Sequence, residues 1–192
     1  MFQKKLQKKI SDLNIVGVDD GRFIIHHQSK KREKAPLFCI LWNNLSIRKV
    51  KIDKITVDGL DSTQLLLKIL KFFKFDLLMF SGISFGGFNI VDAQHLYQNF
   101  KKPIIIITGT KPRNNLVKKA LKNHFLDWRE RFSLIKQLGK IYCIKTVYNN
   151  PIYFEVIGLN YKKAKRIIQK LTFTGRYPEP IRVIKLLAND LV

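Results

Sequence analysis

The chain has 192 residues, and its 36 lysines and arginines against 14 acidic residues give a formal net charge of +22 at pH 7. Hydrophobic residues make up 46% of it, which excludes an intrinsically disordered protein, and the length suits a single domain over residues 1–192. No apolar run approaches the roughly 20 residues of a membrane helix, so we expect no membrane contact. A strongly basic balance favours DNA or RNA as the partner, although a lysine-rich proteome would give the same composition.

The cysteines and the N-terminus indicate a cytoplasmic protein. Cys39 and Cys143 each lie within an apolar, strand-like segment, which predicts buried free thiols in a reducing compartment. Residues 1–10 are rich in lysine and lack the apolar core of a signal peptide.

The first third of the chain predicts an antiparallel meander of three strands. Residues 14–27 are strand-like but are interrupted by Asp19-Asp20-Gly21, a turn or bulge signal, so either one bulged strand or two short ones results. Residues 36–45 form a second apolar run that ends in Asn43-Asn44, a favourable hairpin turn. Residues 47–57 alternate between apolar and polar residues, which is the period of a third strand.

Helices and strands alternate after residue 60. Residues 61–74 predict an amphipathic helix with Asp61 as N-cap and Gln64 completing a capping box. A strand follows at 76–80, then a loop containing Gly82 and Gly87, a helix at 92–100 and a strand at 103–108. The remaining predictions are helices at 114–123 and 126–138, a hairpin of strands 141–147 and 152–157, and helices at 160–171 and 181–191.

This order of elements predicts an α/β protein with a mixed sheet. An antiparallel three-strand meander is followed by β-α-β-α-β units, which pair in parallel, and then by a C-terminal hairpin and helices. That is the order of the ribonuclease H-like fold. It places the first strand at the centre of the sheet, beside the strand at 76–80, and so places Asp19 next to Ser81.

Acidic residues are few, so their positions are informative. Asp19 ends the first strand, Asp58 ends the third, and Asp92 follows the glycine loop. Carboxylates that converge at one sheet edge form a hard-oxygen site that suits Mg²⁺, and bound Mg²⁺ supports phosphodiester cleavage. Each residue has a structural alternative: turn chemistry for Asp19, and helix capping for Asp92, as for Asp61. The alternative is weakest for Asp58, because a residue after a buried strand has no need to be acidic.

Four segments resemble an uncharacterised archaeal family that is distantly related to endonuclease V. They are residues 17–21 (GVDDG), 57–63 (VDGLDST), 82–92 (GISFGGFNIVD) and 175–182 (GRYPEPIR). The resemblance implies an endonuclease V-like, ribonuclease H-like fold and, by analogy, cleavage of a nucleic-acid strand with Mg²⁺ or Mn²⁺.

The resemblance also implies site residues. Asp19 matches the first-strand aspartate of endonuclease V, and Asp58 stands where a second carboxylate approaches the metal. The third position is an aspartate before glycine in endonuclease V and is Ser81 here, so the site loses one negative charge, for which Asp92 is the candidate to compensate. The proline–tyrosine strand-wedging motif is missing, so recognition of a deaminated base is not inherited.

Three hypotheses follow. In the first, the protein is a metal-dependent nuclease-like protein, attenuated by Ser81: Asp19 and Asp58 bind the metal, Asp92 assists and Ser81 positions water or phosphate. The residues expected to follow the nucleic-acid backbone are Lys30, Lys31, Arg32, Lys111 and Arg113. In the second, a protein of the same fold binds nucleic acid without catalysis. In the third, it is a homo-oligomeric assembly subunit, for example a homodimer, that uses its apolar C-terminal helix to meet another copy.

Overall fold

The computed structural model describes residues 9–23, 33–146 and 149–190. A short 3-10 turn over Ile10–Asp12 precedes the first strand. The strands of the described residues are β1 (Ile15–Asp20), β2 (Lys34–Asn43), β3 (Ser46–Thr56), β4 (Leu77–Phe80), β5 (Ser84–Phe85), β6 (Asn89–Ile90), β7 (Ile104–Thr108), β8 (Tyr142–Lys145) and β9 (Pro151–Ile157). The helices are α1 (Ser62–Leu70), α2 (Ala93–Phe100), α3 (Asn114–His124), α4 (Trp128–Lys136), α5 (Tyr161–Leu171) and α6 (Glu179–Asp190).

Seven strands form one mixed sheet in the order β3-β2-β1-β4-β7-β9-β8. The meander β1-β2-β3 is antiparallel, β1, β4 and β7 are parallel neighbours, and the hairpin β8-β9 pairs antiparallel with β7. The predicted α/β architecture is therefore confirmed, including the pairing of the first strand with the strand at 76–80. The sheet centre is β4 rather than β1, because the C-terminal hairpin extends the sheet beyond β7. Strands β5 and β6 form a separate small hairpin.

Helices cover both faces of the sheet, which explains why β4 and β7 are continuous apolar runs. On one face, α1, α2 and the β5-β6 hairpin pack on residues such as Val16, Val18 and Phe80. On the other face, α5 and the start of α6 pack on Ile15, Ile105 and their neighbours. Helices α3 and α4 pack on each other beside the β5-β6 hairpin. None of the helices in the described ranges combines the length and hydropathy that crossing a membrane requires.

Some local predictions are wrong. Asp61 precedes α1 but makes no side-chain cap, because its carboxylate accepts hydrogen bonds from the Thr56 amide at 3.0 Å and from the Thr56 hydroxyl at 2.6 Å. Cys39 is buried, as predicted, but Cys143 is exposed. The first strand ends at Asp20, so the aspartates belong to the strand, and the rest of the predicted segment at 24–27 lies outside the described residues.

Part of the apolar surface of the C-terminal helix packs on its own chain. Ile181, Ile184 and Ala188 of α6 are buried against β1 and β2 of the same chain. Leu186 of the same helix remains 49% exposed, so self-association through this helix stays a prediction.

Candidate functional site

Four strands end at the same edge of the sheet. Strands β1, β4 and β7 are parallel, and β3 runs in their direction because two antiparallel pairings separate it from β1. We call this edge, with the residues that follow those strands, the carboxyl edge. Ligands of open α/β sheets bind beyond such ends. The carboxyl edge carries Asp19, Asp58, Ser81 and Thr108.

Asp19 and Ser81 are in direct contact at the carboxyl edge. The Ser81 hydroxyl donates a hydrogen bond to Asp19 Oδ1, and the Ser81 amide donates to the Val18 carbonyl at 3.1 Å. The Asp20 amide also donates to Asp19 Oδ1, at 3.1 Å. The other oxygen, Oδ2, lies 3.3 Å from the ammonium nitrogen of Lys185. Asp19 is only 6% exposed, so this ammonium is a close counter-charge to a buried carboxylate.

Close packing of α6 on β1 places Lys185 at this position. A Cβ atom on Gly17 would lie 2.8 Å from the Pro180 carbonyl oxygen, so only glycine allows the start of α6 to approach the strand. Further along, the missing side chain of Gly21 leaves room for the Ala188 carbonyl. Lys185 lies between these two contacts on α6, on the side that faces β1.

Asp20 and Asp58 contact a different element, the β5-β6 hairpin. Successive side chains of a strand point to opposite faces, so Asp20 faces the hairpin while Asp19 faces α6. Asp20 Oδ2 accepts a hydrogen bond from the Gly86 amide at 2.7 Å. The Asp58 carboxylate accepts from the Phe88 amide at 2.8 Å, and the Asp58 amide donates to the Gly86 carbonyl at 2.8 Å. The structure thus brings Asp58 together with Asp20, and it does not bring Asp58 to the Asp19 side of the sheet.

The hairpin is also anchored from α4. Arg131 is buried and donates hydrogen bonds to the Gly59 carbonyl at 2.9 Å and to the Phe88 carbonyl at 2.8 Å. Asn89, fully buried, donates to the Thr56 carbonyl at 2.8 Å. Segments 57–63 and 82–92 therefore interlock through polar contacts, which gives both motifs a structural role.

Asp92 is the N-cap of α2. Its carboxylate accepts a hydrogen bond from the His95 amide at 2.8 Å, and its own amide donates to the Thr63 hydroxyl at 2.9 Å. These contacts join α1 and α2 and do not bring Asp92 to Asp19. The capping alternative is the one that the structure supports.

The basic residues near the carboxyl edge include one that sequence reasoning missed. Lys111 and Arg113 are exposed and follow β7 at this edge, whereas Lys30, Lys31 and Arg32 lie outside the described residues. Lys185 was not predicted as a site residue, because it belongs to a helix whose pattern indicates only an apolar face. The nearby segment 175–182 did stand out as a motif, and Tyr177 in it lies 5.7 Å from the Lys185 ammonium, measured to the ring centre.

A small pocket lies on the hairpin side of the carboxyl edge. It has a volume of about 180 Å³ and is bounded by the loop at Gly82–Ser84, by β7 and by α3 and α4. Glu155 of β9 lines it and is only 5% exposed. Burial raises the pKa of Glu155 from its ordinary value of 4.5 to about 7, so this acid is substantially protonated at neutral pH.

The residues at Asp19 do not fit a divalent metal ion. Asp19 already faces an ammonium group, Ser81 is a neutral ligand, and the Asp58 carboxylate is turned to the hairpin. Within residues 9–23, 33–146 and 149–190, no group of three or more His, Cys, Asp or Glu side chains is arranged to hold a metal. Mg²⁺ and Mn²⁺ favour several oxygen ligands with net negative charge, which this arrangement does not supply.

The fold is shared with endonuclease V. A solved structure of Ciona intestinalis endonuclease V, in complex with DNA containing an inosine followed by a ribo-adenosine, superposes with a TM-score of 0.59 at 16% identity, over 92% of this chain and 84% of that one. A protein of unknown function from Archaeoglobus fulgidus is more similar, with a TM-score of 0.80 at 23% identity over 94% of this chain and 99% of that one. The predicted endonuclease V-like fold is confirmed.

Sequence comparison identifies the family. A UPF0215 protein from Methanosarcina acetivorans is 33% identical over 187 residues, which are 94% of this chain and 91% of the relative. This confirms the resemblance to an archaeal family distantly related to endonuclease V. The family model described as Endonuclease dU matches residues 11–192, and the chain therefore belongs to the endonuclease dU family.

Proposed function

We propose that this protein binds a nucleic-acid strand across the carboxyl edge of its sheet. The observation that carries the proposal is that this edge holds Lys185, paired with Asp19, and the exposed Lys111 and Arg113, which follow β7. Phosphate oxygens accept hydrogen bonds from such groups, and these contacts position a strand without reading its sequence. The net charge of +22 adds long-range attraction to any polyanion.

The family name and the fold support nucleic acid as the ligand class. The family model is described as an endonuclease, and the endonuclease V from Ciona intestinalis was solved bound to DNA. Of the hypotheses drawn from the sequence, the second, binding without efficient cleavage, agrees better with the site. Asp19 and Ser81 with Lys185 lack the negative charge that metal-dependent cleavage needs.

The pocket beside Gly82 suggests how a base would be recognised. Its volume of about 180 Å³ is large enough for a pyrimidine that has left the base stack. The family name points to deoxyuridine, and protonated Glu155 would donate a hydrogen bond to a uracil carbonyl. We propose a strand containing deoxyuridine as the preferred ligand, held at its phosphates by the carboxyl edge.

Binding is tested by fluorescence anisotropy of labelled single strands in EDTA. The double substitution Lys111→Ala with Arg113→Ala should weaken binding roughly tenfold at low salt, since two phosphate contacts are lost. The matched control is the pair Lys163→Ala and Lys170→Ala, which removes the same charge. Both lysines line a groove at the opposite edge of the sheet, together with Lys9. An equal loss in both pairs would show that bulk charge, and not the carboxyl edge, holds the strand.

Base preference and turnover are tested on the same strands. A strand with one deoxyuridine should bind more tightly than its deoxycytidine counterpart at pH 6, and the difference should shrink at pH 8, where Glu155 is ionised. Incubation with Mg²⁺ or Mn²⁺ should give little or no cleavage. Efficient cleavage that Asp19→Asn abolishes would contradict binding without turnover and restore the nuclease hypothesis.

A further inference from the structure

We infer that the Lys185 ammonium is a built-in cation that takes the place of a divalent metal ion beside Asp19, so that the protein holds a phosphate group there without metal. The phosphate part of this inference rests on the proposed function. The replacement of a metal ion by Lys185 concerns the protein alone and is tested without nucleic acid.

Both oxygens of the Asp19 carboxylate are already engaged. Oδ1 accepts from the Ser81 hydroxyl and the Asp20 amide, and Oδ2 faces Lys185 at 3.3 Å. A buried carboxylate is costly unless it is paired and hydrogen-bonded, and here the protein supplies every partner itself. A metal ion would have to displace Lys185 to reach Asp19.

Ser81 removes the charge that would favour such a displacement. With an aspartate at this position, as in endonuclease V, two adjacent carboxylates would repel each other and attract a divalent cation. With serine, the single carboxylate and the single ammonium balance. The serine hydroxyl donates to Asp19, so it stabilises the same ionised carboxylate that Lys185 neutralises.

Lys185 is held in place and is still accessible. Its side chain is 34% exposed, whereas that of Asp19 is 9% exposed, so the ammonium lies between the buried acid and solvent. The close approach of α6 to Gly17 and the contact with the Tyr177 ring at 5.7 Å restrict where it can move. An ammonium group has three donors, and those not directed at Asp19 remain for a phosphate oxygen.

The affinity of the protein for a metal ion, measured without nucleic acid, tests whether Lys185 takes the place of that ion. Electron paramagnetic resonance of free Mn²⁺ should show no stoichiometric binding to the wild-type chain. The double variant Ser81→Asp with Lys185→Ala should bind one Mn²⁺ at least roughly tenfold more tightly, because it has two carboxylates and no ammonium. Adding Asp19→Asn to it should abolish that binding. Wild-type binding of one Mn²⁺ that Asp19→Asn removes would overturn the inference.

Strand binding in EDTA tests the phosphate contact. Lys185→Gln should weaken affinity roughly tenfold, Lys185→Arg should retain most of it, and Lys163→Gln at the opposite edge should have little effect. Binding by the Ser81→Asp with Lys185→Ala variant should depend on Mn²⁺. Circular dichroism confirms that each variant is folded, and a Lys185→Gln affinity equal to that of the wild type would overturn the phosphate role.

The two failures can be told apart. If the wild-type chain binds no strand at all, the proposed function is wrong, but the Mn²⁺ titrations still decide whether Lys185 excludes a metal. If strands bind tightly and Mn²⁺ also binds at Asp19, the proposed function stands and the built-in cation is wrong.

Discussion

Glu155 and Asp20 are two acids whose charge the fold disfavours. Burial raises the pKa of Glu155 to about 7. Burial, with the neighbouring charge of Asp19, raises the pKa of Asp20 to about 6, although the hydrogen bond from the Gly86 amide opposes the shift. Both acids ionise more easily in the unfolded chain, so both make the folded state less stable as pH rises.

Replacing Glu155→Gln should remove most of this pH dependence near neutrality. In the wild type, the free energy of unfolding should fall as pH rises from 4.5 through 7 and level off above pH 7. The pKa shift of Glu155 from 4.5 to about 7 corresponds to a fall of about 3 kcal/mol. Urea denaturation at pH 5 and pH 8 measures the change. The variant should lose less stability over this range and keep only the shallower contribution of Asp20. An unchanged pH profile would show that Glu155 is not desolvated in the folded state.

At the scale of elements, the β5-β6 hairpin depends on two neighbouring loops. Its turn residue Gly87 has φ +82° and lies against the Asp58 carboxylate, so a Cβ atom there would collide with it. Gly139, after α4, has nearly the same backbone, with φ +85°, but has open space where its Cβ would be. The two glycines separate backbone strain from steric conflict.

Gly87→Ala should therefore destabilise the protein more than Gly139→Ala. The left-handed backbone costs about 1 kcal/mol in both variants. Displacing Asp58 from its 2.8 Å hydrogen bond to the Phe88 amide should cost about 1–3 kcal/mol more in Gly87→Ala only. Equal losses in thermal or urea unfolding would mean that Asp58 moves aside freely.

Arg131 anchors the same hairpin from α4, and Arg129 on that helix is a matched control. Arg131→Met should lower the free energy of unfolding by about 3 kcal/mol, because it leaves the Gly59 and Phe88 carbonyls without their buried donor. Arg129 is exposed and stacks on Trp128 at 5.0 Å, so Arg129→Met should change stability by less than about 1 kcal/mol. Similar effects of the two variants in urea unfolding would contradict the anchoring role.

At the scale of the whole molecule, net charge governs association with nucleic acid. Affinity for a single strand should fall steeply with salt, with a slope of about −0.7 per phosphate contacted in a plot of log K against log[salt]. Removing Lys111 and Arg113 together should make the slope shallower by about 1.4, whereas the Lys163 and Lys170 pair should leave it unchanged. A slope that is unaltered by either pair would place the strand elsewhere on the protein.

Most elements could be predicted from the sequence because their patterns are local. The strand predicted over residues 47–57 and the apolar runs of β4 and β7 are confirmed, although residues 47–54 of β3 are exposed and do not form a buried face. The predicted cap at Asp61 is wrong because its carboxylate accepts hydrogen bonds from Thr56 at the end of β3 and from Asn89 of β6 instead of from the first turn of α1. Local propensity is a weak guide where tertiary partners are available.

By itself, the sequence determined the basic character of the protein and the order of its strands, because charge and hydrophobic periodicity are local properties of the chain. The order of the strands in turn places Asp19 next to Ser81. Only the tertiary structure decided which carboxylates share a side of the sheet and what neutralises them. Asp58 joins Asp20 at the hairpin, and Lys185 reaches Asp19 from the far end of the chain. The reason is that helix packing, made possible by Gly17, sets the approach of α6, and no local pattern encodes which distant side chain fills a given space.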